Sequence, residues 1–296
     1  MLHFIPLRVP NHAPALKRST ALLLALLLAA PLAAQEANRN VPFGLPGPAK
    51  PEPSSREAFL IARPQYVLSY NAERKIPNWV CWELKASDIG SAARAPFEPD
   101  PDLPRGFARV TSRVYNGSGF DRGHMCAAKE RSSSPADIRA TFFMTNVVPQ
   151  APNCNQRGWE RLEDYCRRLA REGHVLYIAC GPAGVGGTGK DGRKEAIGEG
   201  RLKVTVPHRL WKVVLVLPRE GAEPRKNTRV IAVVMPNDQS VDYNWAKYRV
   251  TTRQVEKLTG LHFFPKVEED VREALLDHLD KVEVRAPRSR SGKERD

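Results

Sequence analysis

No two cysteines of this 296-residue chain are spaced Cys-x-x-Cys, which removes the usual cysteine frame of a structural zinc site. The cysteines present are Cys81, Cys126, Cys154, Cys166 and Cys180, an odd number that leaves at least one free thiol whatever pairing forms. No apolar run reaches the roughly 20 residues that a membrane-spanning helix needs. No internal repeat is visible, so a solenoid or propeller is excluded. Acidic residues are short of basic ones, 33 against 46, giving a formal net charge of +13 and a pI near 9.7. Such a surface attracts polyanions, nucleic acid before anionic membrane. No zinc finger, basic zipper or helix-turn-helix signature accompanies that charge, so a base-reading module is not expected.

What is present begins with a leader. Lys17-Arg18 precedes an apolar run from Ala21 to Ala30, then Pro31-Leu32-Ala33-Ala34 offers small residues at a cleavage point. Residues 1–34 therefore read as a signal peptide, with export to the periplasm or the medium and no stable membrane association; a retained anchor is the minor alternative. An oxidising destination allows one or two disulfides, whose pairing the sequence does not give. The Pro- and Gly-rich stretch 35–56 reads as an extended linker, 57–283 as one folded domain, and 284–296 as a basic, disordered tail.

Within the domain, Tyr66–Tyr70 and Trp79–Leu84 alternate as strands around a polar turn with Asn71 and Pro77, which predicts a hairpin. Further strands are expected at His174–Cys180, Leu202–Val206, Trp211–Leu217 and Val230–Met235, each rich in β-branched or aromatic residues. Apolar steps of three and four predict helices over Gln156–Arg171, Arg253–Leu258 and Glu268–Val282. The fold class is α+β, a mixed or antiparallel central sheet flanked by helices. The glycine-rich run Gly181–Lys190 lacks the Gly-Lys-Ser/Thr that would open a phosphate-binding helix and reads as a flexible surface connection.

The stretch from Asp121 to Arg167 carries the chemistry. If Asn155 opens a helix, Asn155, Trp159, Glu163 and Arg167 fall at roughly 0°, 40°, 80° and 120° around its axis, one stripe bordering the apolar face. Taken singly, each residue has a plain reading: Glu163 and Arg167 as an i,i+4 ion pair, Asn155 as a helix cap, His124 as a hydrogen-bonded structural residue. Taken together, Asp121-Arg122-Gly123-His124-Met125, then Thr141-Phe142-Phe143-Met144-Thr145-Asn146, Pro149-Gln150, and Asn155 ahead of Trp159 and Glu163, make a pattern that resembles the DNA/RNA non-specific endonucleases, the ββα-metal nucleases. The resemblance continues through Cys180-Gly181, Trp211–Val214, Met235-Pro236-Asn237, Trp245 with Tyr248, and Glu256–Leu261 before Phe263-Phe264-Pro265. It spans residues 65–265.

That resemblance implies a ββα-metal motif in the fold and a sugar-nonspecific endonuclease that leaves 5′-phosphate ends. It implies His124 as general base, Asn155 as the direct ligand of Mg²⁺ or Mn²⁺, Glu163 as a carboxylate holding the ion's waters, and Arg94 as a transition-state cation. Arg105 and Arg113 stay open as alternatives to Arg94. Arg122 and Arg167 are expected to grip phosphate, Asp121 to orient the loop or the histidine, and Asn146 to bind substrate or tie down the site by hydrogen bonds. Cys126–Arg131 departs from the family, which commonly carries a Pro and an Asp-Arg pair there, and this bears on substrate preference. DNA and RNA are the expected partners, with a homodimer and a protein inhibitor left open. The alternative from another class is a non-catalytic nucleic-acid-binding protein; a hydrolase of some other phosphodiester is a third.

Overall fold

The hairpin expected around Asn71 and Pro77 forms in the computed structural model, which describes residues 38–284 together with residues 1 and 3. The readings of a signal peptide and of a basic tail fall outside the described residues, save for residues 1, 3 and 284. In chain order the strands are β1 (Phe59–Ala62), β2 (Val67–Asn71), β3 (Ile76–Leu84), β4 (Asp121–His124), β5 (Val147–Gln150), β6 (Val175–Ala183), β7 (Gly187–Gly189), β8 (Gly192–Lys194), β9 (Ala196–Ile197), β10 (Val204–Thr205), β11 (Arg209–Leu217), β12 (Arg229–Pro236) and β13 (Arg249–Val250). The helices are α1 (Pro135–Thr141), α2 (Glu160–Arg171), α3 (Thr252–Thr259) and α4 (Glu269–Asp277). Seven strands form one antiparallel sheet in the order β1-β2-β3-β6-β11-β12-β13, the α+β architecture expected from the sequence.

Strand periodicity divides the core into two layers. Trp82 and Leu84 of β3, Ile178 and Cys180 of β6, and Val214 and Val216 of β11 face one side, where Trp159, Leu162 and Cys166 cover them. Trp79, Cys81, Val213 and Leu215 face the other side, against Val255, Phe263, Leu275 and Leu276 of the C-terminal helical region. Both faces are thus covered, which is why these strands read as nearly unbroken apolar runs. Each fully buried Leu, Val or Ile removes apolar area worth about 1.5–3 kcal/mol.

Local signals set the helix ends. Thr251 and Gln254 form a reciprocal capping box ahead of α3, and Gly260 ends that helix at φ +71°. The helix expected to run to Val282 stops at Asp277, because Asp280 turns inward to pair with Arg229 and Arg249, each at 2.9 Å. Helix α1 was not expected; Ser134 accepts from Asp137 N–H and Pro135 takes the first turn, a start signal that was there to be used.

Several readings of the sequence change in the structure. Residues 38–56 are no free linker: Arg39 pairs with Glu83 at 2.8 Å and Asp88 at 2.6 Å, Asn40 accepts from the Glu83 N–H, and Val41 is buried. The prolines fit an extended path, but these polar anchors fasten it to the sheet. The glycine-rich run is the end of β6 and an ordered β7–β8 hairpin, held where Thr188 N–H donates to Asn237 O and Lys190 N–H to Gly119 O. No disulfide forms: all five cysteines are free and buried, serving as small apolar residues, and burial raises their thiols above the ordinary value. The expected strand Leu202–Val206 shrinks to Val204–Thr205, paired only with β9.

Candidate active site

On the face covered by α2, strands β4 and β5 form a separate two-stranded ladder in which Gly123 lies opposite Val148 and His124 opposite Val147. Gly123 is required there because a Cβ would collide with the Gln150 side chain. From β5 the chain enters a π turn over Cys154–Trp159 and then α2. The ideal helical wheel is therefore wrong across this turn, since an i→i+5 turn advances less per residue than an α-helical one. Asn155 is carried toward the Glu163 side, while Trp159 goes into the core.

The two strands and the helix enclose a cavity of about 180 Å³. Arg94, Arg122, His124, Asn155, Glu163 and Arg167 all line it, along with Lys129, Gln156 and Glu160. Arg105 and Arg113 do not. Cations outnumber carboxylates on its wall, which suits an anionic occupant.

His124 packs edge-on against Phe142, ring centroids 4.7 Å apart, and tilted against Phe97 at 5.0 Å. Its Nε2 is buried and has no hydrogen-bond partner among the described residues. Burial first, then the positive charge of Arg94, lowers the imidazole to about 3 and keeps it neutral. Arg94 itself lies over the Phe142 ring at 5.1 Å, so one phenyl ring supports both groups. Arg122 donates from Nε and Nη2 to the Ser112 carbonyl at 3.2 and 3.1 Å and lies over Phe97.

Asn155 donates from Nδ2 to Asp121 Oδ2 at 2.9 Å, and Gln156 Nε2 donates to the same oxygen at 2.8 Å. Asp121 thus orients Asn155 rather than His124, and it does not line the cavity. With the amide nitrogen committed, the Asn155 carbonyl is the atom left to meet a cation. Asn146 needs correction as a substrate-binding residue: it is fully buried and off the cavity wall. Its amide donates to Cys126 O and Thr141 O and accepts from Cys126 N–H, each at 2.9 Å. It ties the loop after His124 to the end of α1.

Behind the wall lies a buried charge cluster that the sequence reading did not find. Burial, with Glu130 nearby and against the pull of Lys212 and Arg167, raises the Glu163 carboxyl above the ordinary carboxylate value. Lys212 Nζ is 3.8 Å from Glu163 Oε1, and Arg167 Nη1 is 3.9 Å from Glu130 Oε1. Arg167 also pairs with Asp164. Burial pulls the Lys212 and Arg167 values down, but the adjoining carboxylates outweigh it and keep both charged. One signal was available: Lys212 is a lone charge inside the apolar run Trp211–Leu217, on the parity of the buried Val214 and Val216.

Among the described residues no group of three His, Cys, Asp or Glu side chains could hold a metal ion. What the cavity offers is one oriented amide oxygen beside a carboxylate, a donor set that fits a hard divalent ion retaining most of its waters and does not fit zinc.

Comparison with known proteins agrees with this geometry. The chain is 41% identical over 242 residues to a nuclease of Nostoc sp., covering 80% of this chain and 85% of that protein. It is 34% identical over 211 residues to the mitochondrial nuclease EXOG of Xenopus laevis, covering 69% of this chain but only 58% of that longer protein. Human mitochondrial endonuclease G is 32% identical over 233 residues, covering 76% of this chain and 73% of its own length. A solved structure of EndoG in complex with EndoGI superposes with a TM-score of 0.64 at 28% identity, covering 78% of this chain and 92% of that one. The model of the DNA/RNA non-specific endonucleases matches residues 48–270. With three-quarters of its length matched, and with His124, Asn155 and Glu163 gathered around one cleft, the chain belongs to the DNA/RNA non-specific endonuclease family.

Proposed function

We propose that the cleft hydrolyses phosphodiester bonds of DNA and RNA without marked sequence preference, with His124 as general base and Asn155 as the ligand of a hard divalent ion, Mg²⁺ or Mn²⁺. The observation that carries this reading is the unpartnered Nε2 of His124 in the same cavity as the oriented Asn155 amide and the cations Arg94, Arg122 and Arg167. The family is one of metal-dependent nucleases.

In this reading Arg94, Arg122 and Arg167 grip the phosphate's non-bridging oxygens. Neutral His124 accepts a proton at Nε2 from the attacking water while the water oxygen bonds to phosphorus and the bond to O3′ breaks. The products are a 5′-phosphate and an O3′ that becomes a hydroxyl with a proton from solvent. Asn155 supplies the amide oxygen, and Glu163, on the same wall, accepts hydrogen bonds from the ion's waters. The ion, when bound, supplies positive charge against the departing oxygen. Asp121 fixes the Asn155 amide, and Phe97 with Phe142 fixes the imidazole.

The leader at 1–34 supports export to the periplasm or the medium, checked by N-terminal sequencing of protein recovered outside the cytoplasm. No helix among the described residues is long and apolar enough to cross a membrane. A protein inhibitor is a further part of this reading, supported by the EndoG/EndoGI complex.

The test is cleavage of circular plasmid DNA and single-stranded RNA with Mg²⁺ or Mn²⁺, with and without excess chelator, beside His124→Ala. Loss of both cleavages under chelator and in the variant is expected. A folded wild-type protein that binds DNA but cuts neither substrate would overturn the assignment.

A further inference from the structure

Lys212 is fully buried near the middle of β11, opposite Cys180 of β6 and Val233 of β12. A charged side chain is costly there unless something holds it. Its ammonium lies 4.3 Å from the Trp159 ring centroid and 5.6 Å from that of Trp82, and it finds no hydrogen-bond partner among the described residues. Among the described residues its one carboxylate within 4 Å is Glu163. Glu130, equally buried, accepts from Trp82 Nε1 with Oε2 and leaves Oε1 to Arg167. The fold therefore encloses two cations and two carboxylates, of which only Glu163 and Arg167 reach the cavity wall.

We infer that Lys212 is a positioning residue for the metal site: through its ion pair with Glu163 Oε1 at 3.8 Å it fixes the direction of the Glu163 carboxylate, which lines the cleft together with Asn155. The inference rests on the reading of Asn155 and Glu163 as the ion's cradle. The indoles of Trp82 and Trp159 both lie against the ammonium, so Glu163 is braced by the rigid sheet as well as by its own helix. An apolar residue at 212 would fill the same space and leave that carboxylate free to turn.

The experiment measures Mn²⁺ binding to the full chain without nucleic acid, by loss of the free-ion resonance signal, together with kcat, KM and Tm. Lys212→Met alone leaves an unbalanced buried carboxylate and can unfold the chain, so Lys212→Met is paired with Glu130→Gln to keep the charges even. That double variant is expected to stay folded, bind Mn²⁺ roughly ten- to a hundredfold more weakly and lose kcat to match, with KM for DNA unchanged. Wild-type Mn²⁺ affinity in that folded variant would overturn the inference. A second comparison sets Lys212→Met with Glu163→Gln against Glu163→Gln alone. Equal Mn²⁺ affinity in the two is expected, because Lys212 acts only through Glu163, and a further loss would refute it. Failure of the underlying reading is distinguishable, since Asn155→Ala and Glu163→Gln would then bind Mn²⁺ as the wild type does.

Discussion

Asp121 and Asn155, 34 positions apart, are joined by a 2.9 Å hydrogen bond in which the amide nitrogen donates to Oδ2. The bond decides which end of the Asn155 amide faces the cleft. Asp121→Ala should therefore leave the sheet intact and weaken the metal site by about ten- to a hundredfold in the concentration of Mg²⁺ that half-saturates activity. Metal titration of cleavage rate checks it, and an unchanged half-saturation point would mean that Asn155 needs no such anchor.

His124→Ala should lower kcat by about 10²–10⁴ and keep DNA affinity, because the general base acts in the chemical step while the arginines hold the phosphate. Single-turnover cleavage and fluorescence anisotropy with labelled DNA separate the two. Loss of affinity with kcat preserved would recast His124 as a binding residue.

The imidazole also makes stability depend on pH. Its folded value is lowered to about 3, against roughly 6.5 in an unfolded chain, so between those values the unfolded state binds the extra proton. The contribution is full above about pH 6.5 and is lost as pH falls toward 3. Denaturant unfolding across that window should show a steeper acid loss for wild type than for His124→Gln. For the same reason the acid limb of kcat/KM should lie below the ordinary histidine value. Parallel stability curves for the two proteins would show that His124 is not held neutral.

How much of this was legible depended on whether neighbours in sequence set the conformation. The strands Trp211–Leu217 and Val230–Met235 announced themselves because both faces are buried and Lys212 is the one polar residue in either run. The pairing of β4 with β5 did not: each is four residues, and Asp121-Arg122-Gly123-His124 has the composition of a turn. The π turn at Cys154–Trp159 was equally silent, since periodicity over Gln156–Arg171 assumes α-helical pitch. The site residues were legible as a pattern, but their division of labour was not. That Asp121 serves Asn155 rather than His124, and that Lys212 backs Glu163, follows from contacts between segments far apart in the chain.

Arg94 can be separated from the two arginines that compete with it in the sequence. It lines the cavity and lies over the ring that packs against His124, while Arg105 and Arg113 are off the wall. Arg94→Ala should cost about 10²–10³ in kcat, the scale of losing one group that meets developing charge. Arg105→Ala and Arg113→Ala should cleave as the wild type does. Side-by-side steady-state kinetics decides, and a larger loss at either of the other two would move the role.

Asn146 gives the sharpest contrast between supporting a site and touching its substrate. Its three side-chain hydrogen bonds join Cys126, just past His124, to Thr141 at the end of α1, and none reaches the cleft. Asn146→Ala leaves one buried N–H and two carbonyls without partners, at a cost of about 2–4 kcal/mol in unfolding free energy. A substrate ligand would instead raise KM and leave stability alone. The expected result is a lower denaturation midpoint with KM unchanged per folded molecule. A normal midpoint with raised KM would return Asn146 to the substrate-binding set, and would require the loop after His124 to open when nucleic acid enters.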